Sequence, residues 1–582
     1  MKREFRPSQD PVFLAPPRER PRAKKRVAIT LNDRKVEVDE GLTILEAARG
    51  LAPEIPHYCY HPGLSIAGNC RMCLVEIAGR ERSTLAISCS ARVSEGLVVK
   101  TESPMVREAR AGVLEFLLVN HPLDCPICDQ AGECGLQIFY MEHDAKVSRL
   151  KVDKVEKDKV VKLGPRVMLD QERCILCSRC IRFCDEITKS SELCLVSRGD
   201  QARIATFPGK PLDGKYSVCT TDVCPVGALT SREFRFEERV WFLAGADSIC
   251  TGCSRGCSVS LQHHKNVTFD ELNKKVYRLL PRYNPRVNDW WMCDAGRLTF
   301  RRCNESRALV PLVRESGAAA PAEAAWPAAI AAAAAGVSLA LERSGPGAVA
   351  GLASPECSTE ELHLFKKLVT ETIGSRRFSA KSLKPSGDED DFLIRAEKHP
   401  NAFGAAIVGD GEDPRAILRD AAEGTIECLV LLDSDPAGDS GDEAARDALA
   451  RAKCVIAIGP NLTDSSAVAA VTLPTSSVAE KDGTFVNCDG RVQRFFRAFA
   501  PPRKVHDALD VLRALARALG EDWPARSAAQ VFAEVSSFSP ELEGLSYEDL
   551  LPHGALVRSR APREEGGREA SSVPAAGEGR AR

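Results

Sequence analysis

The sequence predicts a multidomain protein that combines α+β and α/β folds. Its 582 residues are enough for several domains, each with its own hydrophobic core. The 23 cysteines are unevenly distributed, because 19 of them lie at or before Cys303. After Ser306 the composition changes to alanine-rich helices that alternate with short apolar strands. This alternation is typical of a parallel, doubly wound sheet.

The chain is predicted to open with a β-hairpin and a helix. Residues 26–30 and 35–38 alternate as strands around a turn, and residues 42–48 have helical character. This order is typical of a small mixed β domain, which we expect to close near Lys100. An amphipathic helix is predicted next, over residues 106–120. Its apolar face is expected to contain Val113, Leu114, Phe116, Leu117 and Leu118.

The second half is predicted to contain buried parallel strands and no membrane span. The strands are residues 348–352, 428–432 and 455–458, and each leads into Gly, Pro or Asp turn residues. The most apolar window, residues 324–340, is mostly alanine and is interrupted by Pro327. Because alanine is a weak membrane residue, this window predicts a buried helix of a soluble domain.

The composition argues against several classes of protein. The formal net charge of −2 gives no reason to expect nucleic-acid binding. The first 25 residues are rich in Pro and Arg and predict neither a secretory signal nor a transit peptide. A disulfide scaffold is typical of a short secreted chain, so the thiols are interpreted as metal ligands in a reducing cytoplasm.

The first of four cysteine sets has the spacing C-x10-C-x2-C-x15-C and consists of Cys59, Cys70, Cys73 and Cys89. Plant-type ferredoxins also combine close cysteines in one loop with a cysteine from a distant strand, and they bind a [2Fe–2S] cluster. Gly63 and Gly68 lie in this loop, where backbone amides must approach the inorganic sulfides closely. Zinc is the alternative, although zinc sites more often use two C-x2-C pairs.

The second set is a histidine followed by three closely spaced cysteines: His121, Cys125, Cys128 and Cys134. Three thiolates and an imidazole can hold a [4Fe–4S] cluster. A neutral imidazole in place of a thiolate removes one negative charge, which favours the reduced state of the cluster. A zinc ion could use the same four ligands, and that alternative stays open.

The third set is a C-x2-C-x2-C triplet with a distant cysteine before a proline: Cys174, Cys177, Cys180 and Cys224. In two-cluster bacterial ferredoxins, the cysteine before proline ligates the cluster of the other triplet. The chain has no second triplet, so Cys224 is expected to complete this [4Fe–4S] site. Cys184, Cys194 and Cys219 are then expected to be buried and to bind no metal.

The fourth set has the spacing C-x2-C-x3-C and a distant fourth member: Cys250, Cys253, Cys257 and Cys293. This spacing suits either a further [4Fe–4S] cluster or a zinc ion. The four later cysteines, Cys357, Cys428, Cys454 and Cys488, are isolated in the sequence.

The order of these sets resembles the large iron–sulfur subunit of respiratory complex I, which in bacteria is the NADH-quinone oxidoreductase. The matching strings are PHYCYHPGLSIAGNCRMCLVEI (56–77), HPLDCPICDQAGECGLQ (121–137), CILCSRCIRFCDE (174–186), CPVGALTSREFRF (224–236) and WWMCDAGR (290–297). The resemblance covers residues 26–300 closely and residues 305–525 weakly.

The later part is similar to molybdopterin oxidoreductases in two stretches, GLASPECSTEELHLFKKL (351–368) and LPTSSVAEKDGTFVNCDGRVQ (473–493). Formate dehydrogenases of that superfamily carry a catalytic Cys or selenocysteine followed by His a few dozen residues after the first stretch. This chain reads IGSRRFSAKSLKPSG (373–387), with neither residue. The resemblance therefore implies a scaffold that has lost its molybdenum chemistry.

The resemblance and the composition together predict the following domain organisation. Disordered tails are expected at 1–25 and 560–582. Between them we expect a β-grasp [2Fe–2S] ferredoxin-like domain (26–104), a His/Cys-ligated [4Fe–4S] domain (105–150), a [4Fe–4S] ferredoxin-like domain (165–240), a molybdopterin-oxidoreductase-type [4Fe–4S] domain (244–304) and a truncated molybdopterin-oxidoreductase-like α/β domain (305–550).

The resemblance implies an electron-transfer subunit of an NADH:quinone translocase, with no catalytic residue of its own. Electrons would come from FMN in a neighbouring NADH-oxidising subunit and pass the Cys59, Cys174 and His121 sites in that order. They would leave to a ferredoxin-like iron–sulfur subunit near quinone, whereas the Cys250 site resembles one that lies off this path. The implied cofactors are one [2Fe–2S] and three [4Fe–4S] clusters, with no molybdopterin and no FMN. The implied location is peripheral, on the cytoplasmic side of the inner membrane.

Other interpretations remain open at this point. A diaphorase-type electron-transfer subunit of an NAD-linked hydrogenase or formate dehydrogenase uses similar wiring. An iron-only hydrogenase would need further cysteine motifs, which the isolated late cysteines do not supply. A zinc-rich assembly scaffold without electron traffic is a third possibility. No nucleotide site is predicted, because Gly345-x-Gly347-x-x-x-Gly351 lacks the G-x-G-x-x-G spacing.

Overall fold

A computed structural model describes most of the chain. The described residues are 15–19, 25–79, 81–144, 147–266, 275–315, 318, 320–439, 443–524 and 526–558. The tail predicted at 560–582 and most of the one predicted at 1–25 lie outside these ranges. Within them, no helix combines the length and the apolar character needed to cross a membrane.

The described part of the N-terminal tail contacts the body of the protein. The indole Nε1 of Trp290 donates to the carbonyl oxygen of Pro16 at 3.2 Å, and the backbone amide of Glu19 donates to the hydroxyl of Tyr283 at 2.8 Å. The prediction of a solvated tail is therefore wrong for residues 15–19. Proline-rich composition suggested solvation, but an extended segment can still dock on aromatic side chains that arrive from elsewhere in the chain.

The first domain is a five-stranded mixed sheet with a short helix, as the sequence predicts. The strand order is β2-β1-β5-β3-β4, and β1 and β5 are parallel. Thr43 and Glu46 form a capping box at the start of the helix, so each side chain accepts from the other's backbone amide. The elements are β1 (Arg26–Leu31), β2 (Arg34–Asp39), α1 (Ile44–Ala48), β3 (Leu74–Ile77), β4 (Thr84–Ile87) and β5 (Val98–Lys100).

Two helices follow the first sheet: α2 (Pro104–Leu118) and α3 (Gly135–His143). The amphipathic helix is confirmed, but its buried face was only partly predicted. Phe116 is 84% exposed, whereas Arg110 is fully buried. The guanidinium of Arg110 donates to the carbonyl oxygen of Leu74 and to the carboxylate of Glu102 at 3.0 Å each. Because arginine counts as polar, the pattern hid a face that runs Val106, Arg110 and Leu114 at intervals of four.

Short elements hold the central cysteines. Strands β6, β7 and β10 form one antiparallel sheet in the order β10-β7-β6, and β8 pairs with β9. A second antiparallel sheet has the order β11-β12-β13. The elements are β6 (Val161–Lys162), β7 (Val167–Leu169), α4 (Arg179–Arg182), β8 (Cys194–Val196), β9 (Arg203–Ala205), α5 (Cys219–Asp222), β10 (Leu229–Ser231), β11 (Leu243–Ile249), β12 (Ser258–His264), β13 (Val276–Pro281) and α6 (Asp294–Arg297).

The second half is built on a seven-stranded sheet with the order β15-β14-β20-β19-β18-β16-β17. The strands from β16 to β20 are parallel, as predicted, and β14 and β15 add an antiparallel edge. The elements are β14 (Leu312–Val313), β15 (Ala322–Glu323), α7 (Trp326–Ser344), β16 (Val349–Ala353), α8 (Thr359–Lys367), β17 (Phe378–Ser379), α9 (Ala402–Val408), α10 (Pro414–Ala422), β18 (Cys428–Leu432), α11 (Pro436–Asp439), α12 (Glu443–Arg451), β19 (Cys454–Gly459), α13 (Asp464–Val468) and β20 (Val471–Pro474).

The chain ends with a small antiparallel sheet, β21-β22-β23, and two helices. Its elements are β21 (Gly483–Val486), β22 (Arg491–Phe495), α14 (Ala508–Ala518), α15 (Ala528–Phe538) and β23 (Ala555–Leu556). The alanine-rich helix α7 buries only one face of its length. Ala329, Ala333 and Val337 are fully buried, while Leu339 is 56% exposed. The predicted buried helix is therefore an amphipathic helix that covers one side of the large sheet.

We predict that Phe365→Ala lowers the free energy of unfolding by about 3–5 kcal/mol, because removing a fully buried ring leaves a cavity. Phe116→Ala is the matched control, since that ring is 84% exposed and its loss should change stability by less than about 0.5 kcal/mol. Chemical denaturation of the full chain measures both effects. Equal losses in the two variants would contradict the assigned core.

Candidate metal centres

The four cysteines of the first set are brought together by the β3–β4 sheet and the loop before it. The thiols of Cys70 and Cys89 both interact with the thiol of Cys59, and the Cys73 thiol interacts with that of Cys89. Backbone amides of Asn69 and Cys70 also point at the Cys59 sulfur, and together these contacts lower the pKa of Cys59. All four sulfur atoms therefore meet in one place.

Two glycines of this loop have separate structural roles. Gly68 has φ +64°, a left-handed conformation that costs other residues free energy. Gly63 makes room for the aromatic residues behind the loop, because a Cβ there would lie 2.8 Å from Cε3 of Trp290 and 2.9 Å from Cζ2 of Trp291. The loop thus holds its cysteines through a tight turn on one side and packing against two indoles on the other.

The third set lines an almost entirely apolar cavity, with the sulfur-bearing residues Cys174, Cys177, Cys180 and Cys224 on its wall. Burial raises the pKa of Cys174 to about 12 and that of Cys177 to about 11. Backbone amides of Val226, Ala228 and Leu229 point at the Cys224 sulfur. The thiols are therefore neutral until a metal replaces their protons, and amide donors are ready to stabilise a thiolate.

The other three cysteines of this region do not line the cavity. Cys184 and Cys219 are buried, as predicted, with a pKa raised to about 12 by burial in each case. Cys194 is exposed, so its predicted burial is wrong. It opens the β8 strand of a two-stranded hairpin, and such a hairpin has too few strands to cover its own side chains.

The second set combines two buried cysteines, Cys128 and Cys134, with an exposed one, Cys125. The three thiols influence one another electrostatically, and burial raises the pKa of Cys134 to about 12. Burial, followed by the nearby Arg173 cation, lowers the pKa of His121 to about 4. The imidazole is therefore neutral and able to ligate. Its main electrostatic neighbours are Arg173, Lys154 and Asp124, so its membership of the set stays a prediction.

The fourth set joins the end of β11 to the start of α6. Cys250, Cys253, Cys257 and Cys293 influence one another electrostatically. The backbone amide of Gly296 donates to the Cys293 sulfur at 3.3 Å, and that of Gly252 to the Cys250 sulfur at 3.5 Å. A Cβ on Gly296 would lie 2.8 Å from the Cys250 sulfur. Glycine is therefore required where the helix approaches the set.

Two arginines of α4 connect the first set to the third. A guanidinium nitrogen of Arg182 donates to the carbonyl oxygen of Cys59 at 2.5 Å. Arg179, which is 1% exposed, donates to the carbonyl oxygens of Tyr60 and Val223. These carbonyl groups belong to residues at or next to Cys59 and Cys224. The helix that carries Cys180 therefore fixes both sets relative to each other.

The third and second sets touch directly. A Cβ on Gly227 would lie 2.3 Å from the Cys128 sulfur, so the CPVGAL turn approaches the second set as closely as a chain can. The backbone amide of Gly135 donates to the carbonyl oxygen of Pro225 at 2.9 Å, which joins the residue after Cys134 to the residue after Cys224. The first, third and second sets thus form a continuous series.

The fourth set borders the third through α5 and α6. Asp294, next to Cys293, accepts hydrogen bonds from the Ser217 hydroxyl at 2.6 Å and the Val218 backbone amide at 3.0 Å. The thiol of Cys219 donates to the carbonyl oxygen of Met292 at 3.2 Å. Cys219 therefore lies between the two sets as a packing residue.

The donor chemistry of these sets fits iron–sulfur clusters. Each offers buried free thiols, backbone amides that point at sulfur in at least three of the sets, and surroundings that exclude water. Among the residues described by the structure, no three donor side chains already have the close arrangement of a metal site.

The carboxyl ends of β16 and β18 mark the point where the strand order reverses, which is where doubly wound folds bind ligands. Here the chain's own side chains fill the crevice. Arg302 pairs with Glu356 and lies 3.6 Å from an oxygen of Asp433. Lys384 pairs with Glu356 at 2.8 Å and with Asp439 at 3.5 Å. These ion pairs occupy the place of a ligand.

Sequence patterns did not indicate the residues that link the sets. Arg179 and Arg182 resembled ordinary surface arginines, and Gly227 and Gly296 resembled ordinary turn residues. The only available signal was their position, because each lies within four residues of a predicted ligand.

Four family models match separate parts of the chain. A 2Fe-2S iron-sulfur cluster binding domain matches residues 24–104, and an NADH-ubiquinone oxidoreductase-G iron-sulfur binding region matches residues 110–149. The ferredoxin-like domain of NADH-quinone oxidoreductase subunit 3 matches residues 164–230, and molybdopterin oxidoreductase matches residues 396–518.

Several proteins are similar to the chain over part of its length. The NADH-quinone oxidoreductase G subunit of Streptomyces coelicolor is 37% identical over 66% of this chain and 43% of its own length. The mitochondrial NADH-ubiquinone oxidoreductase 78 kDa subunit of Neurospora crassa is 40% identical over 51% of this chain and 39% of its own length. The matched region thus spans less than half of either relative. A chain of a crystal structure of NAD+-reducing [NiFe]-hydrogenase is 30% identical over 37% of this chain and 91% of that chain, with a TM-score of 0.33.

The fold and these matches define the chain as a multidomain iron–sulfur protein of mixed α/β architecture, with a molybdopterin-oxidoreductase-like region near its C-terminus. Within that class, the predicted resemblance is confirmed. The chain is a homologue of the large iron–sulfur subunit, the G subunit, of NADH-quinone oxidoreductase.

We predict that Cys224→Ser removes one [4Fe–4S] signal from the EPR spectrum of the anaerobically purified chain, because Cys224 lines the cavity of the third set. Cys184→Ser is the matched control, since Cys184 is equally buried but lies away from that cavity. Its iron content should stay unchanged. Loss of the signal in Cys184→Ser, with Cys224→Ser intact, would mean that the fourth ligand is misassigned.

We predict that Arg179→Gln lowers the midpoint potentials at the first and third sets by roughly 50–100 mV, because a buried cation stabilises the extra electron of a reduced cluster. The guanidinium faces Cys177, Cys70 and Cys59. Arg179→Lys keeps the charge and should restore most of the potential. An EPR-monitored redox titration measures both variants. Unchanged potentials in Arg179→Gln, with both clusters present, would refute the effect.

Proposed function

We propose that this chain is the electron-transfer subunit of an NADH-quinone oxidoreductase and relays electrons from an NADH- and FMN-binding subunit toward quinone. One observation carries the proposal. Sulfur atoms from all four separated cysteine sets belong to one continuous hydrophobic core, with Cys59, Cys134, Cys224 and Cys250 among its members. The homology to the large iron–sulfur subunit supports the same function.

We assign a [2Fe–2S] cluster to the first set and a [4Fe–4S] cluster to each of the other three. The ligands are Cys59, Cys70, Cys73 and Cys89; His121, Cys125, Cys128 and Cys134; Cys174, Cys177, Cys180 and Cys224; and Cys250, Cys253, Cys257 and Cys293. When bound, such clusters supply one-electron carriers. The chain itself contributes the fixed positions of the thiols, the exclusion of water and the amide donors that set the potential. The predicted domain boundaries follow the same grouping.

The proposed order of use is the first set, the third set and then the second set. The arginines of α4 support the first step, because they hydrogen bond to backbone next to both Cys59 and Cys224. The close approach of Gly227 to the Cys128 sulfur supports the second step. The fourth set lies beside this series and not within it.

The second set is the proposed exit toward the next iron–sulfur subunit. Cys125 is exposed, and the neighbouring apolar residues Leu123 and Ile127 are 88% and 63% exposed. A partner that covers these residues would shield the site from water. We also propose a peripheral location on the cytoplasmic side of the inner membrane, which the chain would reach through its partner subunits.

We propose that the C-terminal α/β domain serves as a scaffold without molybdopterin. The ion pairs of Arg302 and Lys384 in the crevice at the strand ends support this role, since a bound cofactor would have to break them. The departure of residues 373–387 from the catalytic pattern points the same way.

The test is the metal content of the full chain after anaerobic purification. The proposal predicts about 14 iron atoms per chain and EPR signals of both binuclear and cubane clusters. Purified alone, the chain should show no NADH:ferricyanide activity, because the flavin site belongs to a partner. Four tightly bound zinc ions without visible absorbance would instead indicate an assembly scaffold, and NADH oxidation by the chain alone would refute the assigned division of labour.

A further inference from the structure

The large sheet brings together two cysteines that are far from the four sets. Cys428 and Cys454 are the first residues of β18 and β19, and they are direct partners in the parallel register. In-register residues of parallel strands point to the same face of a sheet. Both belong to the core under α7, where Cys428 is buried and Cys454 packs against the buried residues. The sequence hid this pair because helix α12 separates the two strands.

The spacing of the pair suits a reversible disulfide. Neighbouring strands lie about 4.8 Å apart, which falls within the Cα separation that disulfides allow. The shorter Cβ separation that a relaxed disulfide prefers would require the strands to adjust, so the bond would be strained and easily reduced. Both cysteines are free thiols in the structure.

The two thiols interact directly with each other. Their interaction is the largest influence on both, and it lowers the pKa of Cys454 while it raises the pKa of Cys428. Gly336 of α7 provides the space for the Cys454 sulfur, because a Cβ there would lie 2.4 Å from it. The pair therefore consists of a more acidic thiol and a neutral neighbour in contact with it.

Access from solvent also differs between the two thiols. Cys428 is fully buried, while Cys454 is half-buried at the end of its strand. The adjacent residues form a surface ion pair, in which Lys453 lies 2.8 Å from Glu427. A small oxidant would therefore reach Cys454 first. A thiol of lowered pKa that is partly accessible and next to a second thiol is the arrangement of redox-sensitive cysteine pairs.

We propose that Cys454 and Cys428 are a dithiol site that hydrogen peroxide oxidises to a disulfide. The Cys454 sulfur attacks one peroxide oxygen, which gives a sulfenic acid and one water molecule. The Cys428 thiol then attacks the Cys454 sulfur and releases a second water molecule. Two thiols thereby lose two electrons and two protons, and one peroxide molecule becomes two molecules of water. The reaction needs no iron, so it is independent of the proposed electron relay.

The test uses the full chain with its clusters. After brief peroxide treatment and blocking of free thiols, trypsin releases residues 420–446 and 454–481, each with a single cysteine. The expected product is the two peptides joined, with a mass two hydrogens below their sum, and dithiothreitol should separate them. The visible absorbance of the clusters should stay constant meanwhile. Joining that begins only after this absorbance is lost would overturn the proposal.

Variants separate the roles of the two thiols. Cys428→Ser removes the second thiol, so dimedone should trap a sulfenic acid on the 454–481 peptide, whereas Cys454→Ser should give neither a trapped nor a joined product. Cys428→Ala serves if the serine variant does not fold. Cys488→Ser, which alters an exposed thiol elsewhere, should leave the joined product unchanged. If peroxide oxidises Cys488 in the unmodified chain and leaves the 420–446 and 454–481 peptides unjoined, the proposal is wrong.

Discussion

The burial of cysteine thiols in one apolar core is the constraint that governs the first half of this protein. Burial raises the pKa of Cys134, Cys174 and Cys177 to values of about 11 or 12. A buried thiolate without a partner is costly, so these groups stay neutral until a metal replaces the proton. Metal binding and folding are therefore coupled here, because the same thiols are core residues and candidate ligands.

The sets are joined by polar groups that reach backbone carbonyls. Arg179 and Arg182 donate to carbonyl oxygens on both sides of their helix, so the positions of two sets depend on one short helical segment. A fully buried guanidinium is expensive to desolvate, and its cost is offset by hydrogen bonds and by nearby sulfur. Gly227 and Gly296 act differently, since they remove a side chain where a backbone must approach a sulfur atom.

The second half follows a different principle, because its sheet has helices on both faces and a filled crevice at the strand ends. Residues of one face contact α7, α8 and α14, and those of the other contact α10 and α12. Arg302 and Lys384 neutralise the acidic residues gathered where a ligand would bind. This half packs against the half that carries the four cysteine sets through Tyr216 and Asp390, whose side chains share a hydrogen bond of 2.6 Å.

Spacing and periodicity along the chain were enough to identify the cysteine sets, the hairpin-and-helix opening and the parallel strands. The folded chain was needed to show that Arg110 is core and Phe116 is surface, that residues 15–19 dock on Trp290 and Tyr283, and that Cys194 is exposed. It was also needed to show which sets are neighbours and that Cys428 meets Cys454. The reason is that burial and contact depend on what another segment brings to a residue, and local pattern carries no record of that segment.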